Sequence, residues 1–179
     1  HKTTLAQSME FVENKGQWPE AFRFKMSNSN GNIFLENNVF TYVVGAAGNI
    51  DQIQGFKTGK YEKVTLNYYA YKMVFENANP QPVIEQQQVQ DHYYNFFLGD
   101  DPQRWKSGIH PCMEVDYLNL YTNIDLRASS DGSRLTYDFI VKPGADPETI
   151  KLRYDGIEQL HVKNGNLEIP TSVVNTEEM

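Results

Sequence analysis

The sequence predicts an all-β chain, an antiparallel β-sandwich with long loops and no long helix, and three observations carry that prediction. Apolar and polar residues alternate with period two from one end to the other, which is the signature of half-buried strands. Eleven Tyr, ten Phe and two Trp form a heavy aromatic load, and such side chains suit a pleated surface. Asn, Asp, Gly and Pro fall between the alternating runs, where turns need them. A chain of 179 residues is long enough to bury a substantial core. Residues 1–179 therefore read as a single β-rich module, with a split into two packed lobes near residues 80–90 left open.

Taken in order, "FRFKM" at residues 22–26 places Phe22, Phe24 and Met26 on one face and turns Arg23 and Lys25 to the other. "NIFLENNVFTYVV" predicts strands near 32–36 and 39–44, joined at Asn37-Asn38, residues that tolerate the positive φ of a two-residue hairpin. "GAAGNIDQIQGFKTGK" is Gly-rich with weak periodicity and reads as a long loop that opens no helix. "YEKVTLNYYAYKMVF" predicts one long strand, bulged near Ala70 and closed off by Pro80 and Pro82. "VIEQQQV" and "HYYNFFL" are two further strands, after which "GDDPQRW" turns the chain.

"EVDYLNL", "NIDLRAS" and "RLTYDFIV" follow as three more strands, with "SSDGS" as a hairpin loop in which Gly132 is free to take positive φ. Asn164-Gly165 between "QLHVK" and "NLEI" is the strongest short hairpin signal in the chain. The tail "PTSVVNTEEM" shows no clean element.

Charge and composition exclude several classes. A net charge of -7, with 16 Lys and Arg scattered along the chain, offers no footprint for nucleic acid. No apolar run reaches the roughly 20 residues of a spanning helix, so membrane insertion is not expected. The opening "HKTTLAQSME" lacks the basic and apolar regions of a signal peptide, so for an exported protein the signal is expected to have been removed. Cys112 is the only cysteine and forms no internal disulfide.

Candidate chemistry is sparse. Asp101-Pro102 and Asp146-Pro147 bring carboxylates that a hydrolase would use, yet both dipeptides are better explained as caps in which Asp accepts backbone N–H bonds. In "LTYDFIVKPGADPETIKLRYDG", Pro143-Gly144 ends one strand, Asp146 caps a short turn with Pro147 at its first position, and the next strand starts near Ile150. His110 with Cys112, or Asp91 with His92, lacks the second pair that structural zinc requires, and His110 reads as a loop residue before the next strand. "LGDDP" and "SSDGS" lack the spacing of a calcium loop. No Ser sits in a nucleophile elbow, and "GAAGN" lacks the Lys and Ser/Thr of a phosphate loop. The expectation is a protein that is not an enzyme and carries no metal or cofactor.

Aromatic residues remain. In the pairs Tyr68-Tyr69 and Tyr93-Tyr94 alternation sends one ring to each face. Trp18, Tyr69, Tyr94 and Trp105 are accordingly the candidate ligand-binding residues, as a platform for sugar rings or peptide.

"EFVENKGQWPEAFRFKM" at residues 10–26, with the pattern F-x-E-N-x-G-Q-W, resembles the start of an uncharacterised domain. That domain is found at the N-terminus of large secreted or surface-anchored bacterial proteins carrying SBBP-type β-propeller repeats. "IFLENNVFTYVV", "YYNFFLGDDPQRWKSGI", "VDYLNLYTNIDL" and "LTYDFIVKPGADPETIKLRYDG" are similar to its later segments, so the resemblance spans about residues 9–172. It departs at Thr122-Asn123, where the family more often has Pro-Gly, and at Asp100, commonly Asn. The resemblance implies the N-terminal part of a longer precursor, displayed outside the cell or on its surface. Its partners would be the downstream domains of that precursor, and a glycan or a host or matrix protein. Its roles would be adhesion or capping of the following repeats, with carbohydrate binding through exposed aromatics as the alternative.

Overall fold

The computed structural model describes residues 8–46, 48–157, 159–170 and 175–178. Residues 1–7, read above for a leader, lie outside them. The fold is all-β and its ladders are antiparallel among the described residues.

Strands β1 (Phe11–Glu13), β2 (Phe24–Asn28), β3 (Gly31–Leu35) and β4 (Val39–Gly45) form a meander in chain order. Asn37 and Asn38 turn the chain between β3 and β4 as expected, but neither takes positive φ. Instead the Glu36 N–H donates to the Val39 carbonyl at 2.9 Å, and Asn37 Nδ2 donates to the Pro80 carbonyl at 3.0 Å.

The stretch expected to be a loop folds into helix α1 (Asn49–Lys57), so "GAAGN" does lead into a helix. Periodicity missed it because the helix buries no apolar stripe: Ile50 and Phe56 are exposed, and Asn49 and Gly55 are its buried residues. What fixes it is Asn49, whose Nδ2 donates to the Asn67 carbonyl at 2.7 Å while its Oδ1 accepts from the Asn67 N–H at 3.0 Å.

Strand β5 (Tyr68–Phe75) is shorter than expected and pairs with β4 from Val39↔Val74 to Gly45↔Tyr68 without a break, so there is no bulge at Ala70. It ends before the prolines, at a turn in which Asn77 has φ 56°. Next come β6 (Val83–Val89), β7 (Tyr94–Phe96), β8 (Lys106–Ile109), β9 (Cys112–Tyr121), β10 (Ile124–Ser130), β11 (Leu135–Val141) and β12 (Leu152–Asp155). The β10–β11 loop carries Gly132 at φ 91°, as read from "SSDGS".

The last elements are β13 (His161–Lys163), β14 (Asn166–Pro170) and β15 (Asn175–Glu178), a three-stranded sheet. Asn164 and Gly165 both have positive φ, 53° and 84°, which makes the expected hairpin turn. β15 is a strand in the tail that sequence patterning did not reveal, and residues 171–174 and 179 lie outside the described set.

Ten strands make one sheet in the order β11-β10-β9-β1-β2-β3-β4-β5-β12, with β6 added along β9. Its two parts, β1–β5 with β12 and β6 with β9–β11, meet at a single residue pair, Phe11↔Cys112. They curl onto each other as a sandwich. Phe40 of β4 lies 5.1 Å from Phe75 of β5, 5.6 Å from Tyr117 of β9 and 5.7 Å from Tyr137 of β11. Phe11, Leu35, Phe40, Leu120, Ile124 and Leu126 are 0% exposed, each stabilising the fold by about 1.5–3 kcal/mol. Ile169 of β14 reaches the same core, which ties the small sheet to the large one.

Candidate functional site

The site is built on the outer face of β1 and β2. Their register, Phe11↔Met26, Val12↔Lys25 and Glu13↔Phe24, sends Phe11, Met26 and Phe24 into the core. Alternation then turns Val12 and Lys25 outward, and its continuation places Glu10 opposite Ser27 on that same face.

The loop after β1 is organised by side chains that bond to the main chain. Asn14 Oδ1 accepts from Gly16 N–H at 3.1 Å and Trp18 N–H at 3.3 Å, and its Nδ2 donates to the Pro19 carbonyl at 2.7 Å and the Phe22 carbonyl at 3.1 Å. Gln17 is 0% exposed and clamps the loop from inside, donating to the Glu13 carbonyl and accepting from the Lys15 N–H, each at 2.7 Å. Gly16 takes φ 101°, a conformation that admits no ordinary side chain. These residues carry the E-N-x-G-Q pattern, and their joint effect is to hold Trp18 over the β1–β2 face.

Strand β7, paired with β8, forms the roof. Phe96 meets Trp18 edge-on at 4.8 Å, and Tyr94 lies 6.2 Å from Phe96. The Tyr94 hydroxyl donates to Glu10 Oε2 at 2.8 Å, and His92 Nε2 is 3.1 Å from the same oxygen. Burial, then the bond to Glu10 and its negative charge, pushes the Tyr94 phenol up to about 12. Glu10 itself is 8% exposed, beneath the roof. Lys25 Nζ lies 5.3 Å from the Trp18 ring centre and 5.8 Å from that of Phe34, within cation–π range. Burial lowers its pKa from the ordinary lysine value. Between floor and roof is a cavity of about 230 Å³. It presents a carboxylate at one end, an ammonium at the other and aromatic rings between them.

Of the four residues singled out in the sequence, the structure brings Trp18 and Tyr94 together in this cavity. Trp105 stands apart on the β7–β8 arm, 43% exposed, its Nε1 donating to the Gly99 carbonyl at 3.1 Å and its ring 5.9 Å from Phe97. Tyr69 packs against the core and its hydroxyl donates to the Gly156 carbonyl, while its neighbour Tyr68 is the exposed ring.

Glu10, Lys25, His92 and Phe96 were not singled out as partners of one site, because β1, β2 and β7 meet only through the fold. The one local signal was Lys25, turned away from the apolar face of "FRFKM".

The dismissed acids behave as caps: Asp101 Oδ1 accepts from Gln103 N–H and Asp146 Oδ1 from Glu148 N–H, each at 3.0 Å, ahead of single 3-10 turns. His110 Nδ1 is 2.9 Å from the Gln90 carbonyl oxygen in the β8–β9 loop, and burial pushes the Cys112 thiol up to about 12.

A larger concavity, about 760 Å³, lies at the end of the sandwich among Asn77, Asn79, Asn119 and Asn123. It offers turn amides and no charged pair, and its Tyr121 hydroxyl donates to the Lys151 carbonyl at 3.2 Å. The smaller cavity has the richer chemistry.

Fold and site together define a small antiparallel β module with an aromatic-roofed polar pocket. The chain belongs to the family described as a domain of unknown function, DUF7948, whose model matches residues 11–179. This agrees with the resemblance to an uncharacterised domain. Searches of curated proteins and of solved structures return no match.

Proposed function

We propose that the chain is a non-catalytic recognition module of an exported bacterial surface protein, and that its pocket takes one sugar ring of a glycan. The observation that carries this reading is the convergence of Trp18, Tyr94 and Phe96 with Glu10 and Lys25 around about 230 Å³. Sites of this kind enclose the apolar body of a ligand with rings and fix its orientation with a few polar groups. A pyranose has C–H faces for the rings and hydroxyls for the carboxylate and the ammonium. Export, and a place ahead of propeller repeats, are supported by the resemblance of "FVENKGQW" and the segments that follow it.

A glycan array probed with the whole chain tests the reading. Glycan binding is expected, with loss of at least about tenfold in affinity for Trp18→Ala at unchanged circular dichroism. An array without hits, or hits untouched by Trp18→Ala, overturns it.

A second reading is favoured by the β7–β8 arm, where Tyr93, Phe97, Leu98 and Trp105 are 58%, 63%, 42% and 43% exposed. An apolar patch of this kind suits a protein contact, such as docking of the following domains. Phe97→Ser with Trp105→Ser would abolish that contact and leave glycan binding intact.

A further inference from the structure

Three lysines sit beside carboxylates, Lys15 by Glu13, Lys142 by Asp125 and Lys163 by Glu168, at 3.3, 2.7 and 3.5 Å. Lys25 makes no such pair among the described residues, and it lines a cavity. Burial lowers its pKa, and its ammonium rests on the faces of Trp18 and Phe34. A half-buried cation set over ring quadrupoles keeps part of its desolvation cost. An anion arriving in the cavity removes that cost.

The other charged group is already engaged. Glu10 accepts from the Tyr94 hydroxyl and faces His92 on the same oxygen. In the β1–β2 register Glu10 falls opposite Ser27, two residues along the strand from Lys25. The two poles are thus diagonal neighbours across the strand pair, about 7–8 Å apart at their Cα atoms. That spacing suits a ring with a hydroxyl at one end and a carboxylate at the other. A dianion such as a phosphate monoester suits it less, because one ammonium faces it while Glu10 repels it.

We propose that the sugar taken by this pocket is acidic, a hexuronic acid or a related carboxylated pyranose, with its carboxylate on Lys25 Nζ and a hydroxyl on Glu10. The proposal rests on the carbohydrate reading above and names the class of sugar. Trp18 and Phe96 hold the ring between the two poles, and Ser27 beside the cavity offers a further hydroxyl. With a net charge of -7 the whole chain repels anions at long range. The preference is therefore short-range, and it persists at physiological salt where distant charges are screened.

The test uses the whole chain and matched pairs of methyl glycosides: glucuronic acid against glucose, and galacturonic acid against galactose, titrated by ligand-observed NMR. At least one acid is expected to bind about tenfold or more tightly than its neutral partner, the scale of one charge-assisted hydrogen bond. Lys25→Gln, which keeps most of the aliphatic stem, removes the preference, so that acid and neutral partner bind alike. Lys25→Arg retains it. Equal binding of acid and neutral partner in both pairs overturns this inference and leaves the carbohydrate reading standing, as does a preference that survives Lys25→Gln. Absence of binding by all four glycosides overturns both. The comparison of acid with neutral sugar on the unaltered chain decides the matter even where a variant fails to fold.

Discussion

Gln17→Leu isolates what the loop ahead of Trp18 contributes. The glutamine is 0% exposed, and its amide satisfies two main-chain groups, the Lys15 N–H and the Glu13 carbonyl. Leucine has nearly the same volume, so packing is kept and both groups lose their partner. An orphaned, partly buried polar group costs about 1–3 kcal/mol, and both lie at the low end because water reaches them in part. The gain from replacing an amide by a hydrocarbon offsets about 1 kcal/mol. The net expectation is about 1 kcal/mol of destabilisation. With a urea slope of about 2 kcal/mol/M, the midpoint falls by about 0.5 M. Measured in a Trp105→Phe background, where Trp18 is the only indole, the emission of Trp18 also shifts to the red as the ring loses its place against Phe96. Gln17→Glu should cost more, because it sets a buried carboxylate against the Glu13 carbonyl. A midpoint within about 0.2 M of the parent and an unchanged Trp18 spectrum would refute the claim that this side chain organises the loop.

Other perturbations probe separate parts of the molecule. The Tyr94 phenol is raised to about 12 in the folded protein. Its contribution to stability is present below about pH 10 and lost as pH rises towards 12. Burial also raises the Tyr117 and Tyr121 phenols, so an alkaline ultraviolet titration should show several late phenols whose number falls by one in Tyr94→Phe; an unchanged late amplitude in that variant would contradict the assignment. Asp125 is held below the ordinary carboxylate value: burial alone would raise it, but the Asn119 N–H at 2.7 Å and the Lys142 ammonium outweigh burial. Its stabilising effect is present above about pH 4 and lost as pH falls through the folded value. Asp125→Asn should flatten the acid limb of the stability curve, and an unchanged limb would count against the Lys142 contact. Asp146→Ala removes a cap and should cost about 1 kcal/mol in a urea melt with glycan binding unchanged. A large loss of affinity at unchanged stability would show that the residue serves a ligand.

What was legible in the sequence was local. β10 and β11 follow from alternation because each places its apolar residues at every second position against one core. β9 alternates over Val115 and Tyr117, and its parity changes at Asn119, φ 50°, so that Leu120 is buried as well. The Asn164-Gly165 turn and the caps at Asp101 and Asp146 follow from residue chemistry within a few positions. Helix α1 escaped because its anchor is an amide bridge from Asn49 to the main chain of Asn67, which has no period. β15 escaped because its partner β14 supplies the order that its own composition does not. The choice of Tyr69 over Tyr68 as a displayed ring depended on which face of β5 is the core. That was settled by Tyr71, Met73 and Phe75, which are 1–2% exposed and share Tyr69's parity.

The pocket shows why a motif can be readable while its purpose is not. "FVENKGQW" looks like a family marker because each position is constrained by a different short-range requirement. Phe11 fills the core, Asn14 and Gln17 bond to the main chain, and Gly16 supplies a positive φ. Trp18 is the residue that the others deliver: beside Phe22, whose ring is 5.8 Å away, its partners come from β2 and β7, the latter nearly 80 residues further along the chain. A scaffold loop with four structural residues and one delivered ring is what recognition requires, since a ring that contacts ligand must be placed by groups that do not. Alanine at Trp18 and leucine at Gln17 should therefore separate: the first lowers affinity at nearly constant stability, the second lowers both.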